Sequence, residues 1–246
     1  MRNLWLMIRA DFLNLLKNPM WVFYATAFPI LMTVILGYLT EKSYGSEITS
    51  FDYYGITMML YAVLNGGMTS ANAFLEERIK KPNMRIIYAP GSPQNIYRSK
   101  VVASFGFALL FHLADILVLY TIFHVTVASP LYLLVLLVLT ELFAATLGIT
   151  MCCIFKSEAM TNQIQSIVIN LFAILGGVLF SLDGYGAAAR KISMLSPVKW
   201  VVKAVFQIIY DRNLHLFLPS VLVLTGSILG MLLICRITFR KEDCIC

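Results

Sequence analysis

Three residues capable of acid–base chemistry stand inside long apolar runs: His112, Asp115 and Glu141. Ionisable groups at such depth are costly, so they either pair with one another or mark a proton or cation path. His112 and Asp115 are three residues apart and share one helix face. Asp115 lies fifteen residues past Lys100, about 22 Å along a helix axis. That places it in the outer half of a membrane. The expectation is a structural pair, or groups near the outer ends that reach water. The competing reading is an ion-coupled transporter or channel using His112, Asp115 and Glu141.

Catalysis finds little support. The chain has no G-x-x-x-x-G-K-[ST], so it holds no P-loop for ATP. It also lacks H-E-x-x-H, G-x-S-x-G and G-x-G-D. Glu76-Glu77 beside an apolar run resembles the glutamate pair of prenyl-processing intramembrane proteases. That pattern wants Arg four residues after the second Glu, and Lys81 stands there. The expectation is a chain that is not an enzyme, with no metal site.

Two polar stripes are more informative. Tyr54, Thr57, Tyr61, Asn65, Thr69 and Asn72 recur at three- or four-residue spacing and lead to Glu76. Asn162, Ser166, Asn170, Ala173, Gly177 and Ser181 form a second small and polar face. Opposite it, Ile164, Val168, Leu171, Leu175, Val178 and Leu182 suit lipid. Small and polar faces on membrane helices are packing seams or line a water-filled path. Gly226-x-x-x-Gly230 reads as close helix packing.

The elements that must position these residues are membrane spans. Hydrophobic residues make up 59% of the 246-residue chain and charged residues 13%. Soluble domains carry about 25% charged residues. Mean hydropathy is +0.80. Spanning a bilayer takes roughly 20 apolar residues. Charge-free stretches at 18–40, 53–75, 116–140, 159–182 and 213–235, with a break at His124–Pro130 dividing the region 101–155, predict six spans. The chain is then one all-α membrane domain over residues 1–246. The net charge of +6 is explained by position. With both termini inside, the inner segments hold thirteen Lys and Arg and the outer segments six. That asymmetry predicts cytoplasmic termini and lipid as a partner, not nucleic acid. Cys152, Cys153, Cys235, Cys244 and Cys246 fall at inner ends or on the tail, where thiols stay reduced.

Three segments flank the spans. In residues 1–18, Leu4, Ile8, Phe12 and Leu15 recur at helical spacing between charges, predicting an amphipathic interfacial helix. Asn18-Pro19 breaks it, and Pro29 predicts a kink in the first span. Residues 183–215 predict two short outer helices dipping into the interface. Val198, Val201, Val202, Val205 and Ile209 face lipid or protein there, while Lys199, Lys203 and Asp211 face water. Residues 76–100 form the longest inner loop. Lys80-Lys81-Pro82 starts a short helix, and Met84, Ile87 and Tyr88 lie on one side of it, a face suited to a protein partner.

Taken together, these features resemble a type-2 ABC transporter permease over nearly the whole chain. Glu77-Arg78, the apolar helix Met84–Tyr88, Pro90, Lys100 and Leu195-Ser-Pro197 carry the resemblance; Lys81-Pro82 stands where the family has glycine-threonine. The resemblance implies six transmembrane helices, an N-terminal elbow helix, a cytoplasmic coupling helix and a re-entrant hairpin between spans five and six. It implies a pore made by two permeases, identical or homologous. Two copies of a separate ABC ATPase would bind ATP and Mg, leaving no cofactor in this chain. Glu76, Glu77, Arg78, Met84, Ile87 and Tyr88 would couple the ATPase to alternating access. Thr57, Tyr61, Asn65, Asn162, Ser166 and Asn170 would line the path or the dimer seam. The expected cargo is amphipathic: an antimicrobial peptide, drug or lipid-like compound. The expected location is a bacterial inner membrane. A peptide-sensing immunity protein is the remaining rival.

Overall fold

A computed structural model describes residues 2–45, 48–75, 94–123, 129–182 and 184–238. Its helices are α1 (Arg2–Leu16), α2 (Pro19–Ala25), α3 (Ala27–Leu39), α4 (Ser50–Leu75), α5 (Gln94–Ile122), α6 (Pro130–Phe155), α7 (Glu158–Gly176), α8 (Ala187–Ser193), α9 (Pro197–Ile209) and α10 (Phe217–Thr238). No strand occurs among the described residues.

Four helical segments are long and apolar enough to cross a membrane: Arg98–Ile122 within α5, and α6, α7 and α10. Two bent pairs reach the same standard only when each is taken together. The α2–α3 pair bends by 40° and the α8–α9 pair by 101°. The expected six spans therefore appear as four to six candidates. At 26 residues α4 is long enough, about 39 Å, but its polar stripe keeps it out of that set. The reason is its place in the fold. It packs against α3, α5, α6 and α7, and most of its residues are buried. A helix covered by protein on most sides has little need of lipophilic side chains.

Local chemistry explains the breaks. Asn18 caps α2, its side chain accepting from the Met20 N–H at 3.1 Å, and Pro19 occupies the first turn. The kink expected at Pro29 falls at Thr26 instead. Pro29 has no N–H to offer the carbonyl of Ala25 four residues back, so the helix breaks before it and restarts with Pro29 in the first turn. Between α6 and α7 only Lys156 and Ser157 intervene, which makes those helices antiparallel neighbours.

The main core gathers α4, α6, α7, α9 and α10 around Met58, Leu64, Leu136, Ile169, Ile208 and Leu224. A second cluster joins α1 to α5. Phe12 meets Phe107 edge-on with centroids 6.5 Å apart, and Leu15 is buried beside them. Asp11, which reads as a surface charge in the sequence, ties α1 to the start of α5. It accepts from Lys100 Nζ at 3.1 Å and from the Ser99 hydroxyl at 2.8 Å.

The bent α8–α9 pair corrects one expectation. Val198, Val201, Val202, Val205 and Ile209 are buried against protein, but Lys199 is buried too. Gly177 caps α7 in the left-handed conformation, with φ +77°. Lys199 Nζ would lie 3.4 Å from a side chain begun there. The C-terminal carbonyls of a helix favour a cation at that point. Lys203 is half-buried and Asp211 exposed. The glycines of α10 are a second correction. A Cβ on Gly226 or Gly230 would meet nothing within 4 Å, so the motif does not pack against another helix among the described residues.

Candidate functional site

The two polar stripes face each other. The Tyr61 hydroxyl on α4 donates to Asn170 Oδ1 on α7 at 2.9 Å. One end of the seam is closed by a reciprocal amide pair. Asn72 Nδ2 donates to Asn162 Oδ1 at 3.1 Å, and Asn162 Nδ2 returns to Asn72 Oδ1 at 2.9 Å. At the other end the Tyr53 hydroxyl donates to the Gly177 carbonyl at 2.6 Å. Asn65 Nδ2 donates to the carbonyl of Tyr61, and Asn170 Nδ2 to that of Ser166. Thr57 is fully buried and its hydroxyl has no partner among the described residues. On the opposite side of α7 Leu171 is exposed as expected, whereas Val178, just past the end of the helix, is fully buried.

Sequence reasoning missed Gln165. It is fully buried, and neither side-chain amide atom has a partner among the described residues. The most buried face of α7 runs Thr161, Gln165, Ile169, Ala173 and Gly176, one position away from the stripe read in the sequence. That four-residue spacing, ending in two small residues, was the available signal. Gln165 lies where α4 and α6 come closest. A side chain on Gly67 would strike the Ala144 carbonyl and the Gln165 amide, and one on Gly148 would strike the Gly67 carbonyl. Glycine is needed at both positions because backbone meets backbone.

His112, Asp115 and Glu141 do not reach water. They are 1%, 2% and 1% exposed. His112 Nδ1 and Glu141 Oε1 pair across α5 and α6. Gly66 on α4 leaves room for them: a Cβ there would lie 3.6 Å from Glu141 Oε2. Asp115 sits one turn further along α5, and its Oδ2 is unpartnered among the described residues. His112 Nε2 is likewise buried and unpartnered.

A cavity of about 360 Å³ adjoins both arrangements. Its wall includes Trp21, Tyr24, Asn65, Phe107, His112 and Asn162. It therefore touches α2, α4, α5 and α7. No group of three or more potential metal ligands occurs among the described residues. Cys152, Cys153 and Cys235 are buried, and none is in a disulfide among the described residues. Between α3 and α4, burial pushes the Tyr44 hydroxyl above its ordinary range, and a hydrogen bond with Tyr54 adds to the effect. Glu76, Glu77, Arg78, Met84, Ile87 and Tyr88 lie outside the described residues.

An all-helical bundle with four to six candidate spans among the described residues, a buried polar seam, a helix pair broken at Thr26 and a sharply bent helical pair before α10 is the architecture of a multi-pass membrane protein. A family model for the ABC-2 type transporter matches residues 2–210, so the chain belongs to that family. It is the permease component of an ABC transporter, and its family implies an ABC ATPase as partner. The match stops short of α10. No curated protein matches the chain.

Proposed function

We propose that the chain is the permease subunit of an ATP-driven exporter, moving an amphipathic cargo by alternating access. Six spans make the domain. The α2–α3 pair is the first, broken at Thr26, and α4, α5, α6, α7 and α10 are the others. On this reading α1 is the elbow helix and α8–α9 a re-entrant outer hairpin. Residues 76–100 carry the coupling helix. Both termini face the cytoplasm of a bacterial cell, and the membrane is the inner one. A second permease, identical or homologous, completes the pore. Two ATPase copies bind ATP and Mg and dock at Met84, Ile87 and Tyr88, with Glu76, Glu77 and Arg78 at the hinge of α4.

One observation carries this reading beyond the family. The buried α4–α7 polar seam, with Tyr61–Asn170 and Asn72–Asn162 as rungs, borders a cavity. Because α4 leads directly into the coupling loop, motion delivered there reaches the seam at once. Thr57, Asn65 and Ser166 share its faces. An antimicrobial peptide, drug or lipid-like molecule suits a cavity with aromatic and amide walls.

The test is a mild-detergent pull-down of the tagged chain from its native cells. A stoichiometric P-loop ATPase is expected, and it is lost when Met84→Asp and Ile87→Asp are combined. Recovery of a control transporter with its ATPase, but none with this chain, overturns the exporter reading. It would favour ion-coupled transport through His112 and Glu141.

A further inference from the structure

Along α4 the cavity beside the seam is lined by Ala62, Asn65, Thr69 and Asn72. These residues fall three or four apart, so they share one face of the helix. Elsewhere α4 packs against α3, α5, α6 and α7, and the surface this face keeps belongs to the cavity. Its polar groups are of two kinds. The Asn72 amide is engaged by Asn162 and by the Met68 carbonyl. Asn65 and Thr69, one turn apart, have capacity left. Asn65 Nδ2 donates to the Tyr61 carbonyl at 2.8 Å. That bond assigns the nitrogen end of the amide and turns Oδ1, at the opposite corner, away from the α4 backbone. Neither Oδ1 nor the Thr69 hydroxyl has a hydrogen-bond partner among the described residues. Both residues keep open surface: Asn65 is half-buried and Thr69 is 7% exposed. The face thus presents an acceptor and, four residues on, a hydroxyl able to donate.

The rest of the wall offers a ligand aromatic surface and no net charge. Trp21 and Tyr24 come from α2 and Phe107 from α5. No lysine, arginine, aspartate or glutamate lines the cavity among the described residues. The ionisable side chain that does, His112, is tied to Glu141, and an ion pair carries no net charge. An ion entering such a space leaves its hydration without gaining a counter-charge. A neutral group with one donor and one acceptor loses little, because both find partners. An amide is such a group. At about 360 Å³ the volume sits at the small end of ligand pockets.

We propose that this cavity binds an uncharged aromatic amide, whose N–H donates to Asn65 Oδ1 and whose carbonyl accepts from the Thr69 hydroxyl, with Trp21, Tyr24 and Phe107 around its ring. The inference deepens the transport reading, on which it rests for calling the amide a cargo. Binding itself requires only this chain. Asn65 and Thr69 are then the residues that set specificity, one reading the donor of the ligand and the other its acceptor.

The experiment uses the full chain in lipid nanodiscs, with binding measured by equilibrium dialysis as the excess over empty nanodiscs. The probes share one ring system: N-methyl-2-naphthamide, methyl 2-naphthoate, 2-naphthoate and 2-(aminomethyl)naphthalene. The ester keeps the carbonyl and lacks the N–H, and the last two are an anion and a cation at neutral pH. The amide is expected to bind at least about tenfold more tightly than the ester, which sets an oxygen against Asn65 Oδ1. It should exceed each ion by at least about tenfold as well. Asn65→Leu should bring amide and ester to within about twofold of each other. Thr69→Val should weaken both alike, by about threefold or more, and Thr69→Ser should restore them. An ester or an ion that binds as tightly as the amide overturns the proposal, as does no binding above empty nanodiscs. So does an amide preference that survives Asn65→Leu, or a Thr69→Val variant that binds like the wild type. If Asn65→Leu fails to fold, Asn65→Ala is read in its place on the same terms. The pull-down is independent: an amide site without an ATPase partner would remove the exporter reading and leave the site standing.

Discussion

Helices α5 and α7 both bring polar side chains into the protein, but they satisfy them differently. On α7, Asn162 and Asn170 meet neutral partners on α4, and each of these rungs has both sides occupied, although the neutral Gln165 between them has no partner among the described residues. On α5, His112 meets a carboxylate through one nitrogen, while its other nitrogen and Asp115 Oδ2 beyond it have no partner among the described residues. Neutral, saturated rungs are what a packing seam requires. A buried charged pair with unpaired atoms is expensive as structure alone. The difference separates a contact that holds two helices in register from one with capacity left for something else.

The largest expected effect breaks the α5–α6 side of the comparison. Glu141→Ala strands the imidazole of His112 and should cost about 3–5 kcal/mol, read as a fall in thermal unfolding temperature in nanodiscs. A change below about 1 kcal/mol would mean that the pair contributes nothing to the fold. Next comes the junction beneath the seam. Gly148→Val puts a branched side chain against the Gly67 carbonyl and should cost about 2–3 kcal/mol. Cysteines placed on the facing surfaces of α4 and α6 should then crosslink more slowly. An unchanged rate would show that the helices do not touch there.

Smaller effects sharpen the α7 side. Asn72→Leu leaves both polar groups of the Asn162 amide without that partner and should cost about 1 kcal/mol. Combining it with Asn162→Leu should recover most of the loss, since an apolar pair replaces a polar one. If the double variant is as unstable as the two losses added together, the reciprocal pair is not real. Tyr61→Phe should cost least, about 0.6 kcal/mol, the usual worth of a hydrogen bond between membrane helices. A value above about 2 kcal/mol would move Tyr61 from packing to function.

Much of the α4–α7 seam was legible because both stripes follow helical spacing and amides in apolar runs need partners. Tyr61, Asn72, Asn162 and Asn170 are where periodicity puts them. The His112–Glu141 contact was not legible. The two residues are 29 apart on different helices, and spacing within a helix says nothing of its rotation against another. Gln165 was hidden by its neighbours: Asn162 and Ser166 draw the eye to a face one position away. Lys199 was misread because a lysine on an amphipathic helix normally seeks water, and the fold that buries it beside the end of α7 cannot be read from its own helix. The glycines of α10 show the reverse error. Gly226 and Gly230 have the spacing of a packing motif, yet nothing among the described residues fills the space beside them.

The polar character of α4 has a consequence for biogenesis. A nascent helix too polar to reside comfortably in lipid must be passed to companions as it leaves the insertion machinery. Its early companion is α3, which packs against it and precedes it in the chain. The residues that satisfy Tyr61 and Asn72 belong to α7 and are synthesised some ninety or more positions later. Until then these groups face lipid or whatever chaperone is at hand. A ribosome stalled before Glu158 would therefore leave α4 as the segment most open to quality-control proteolysis.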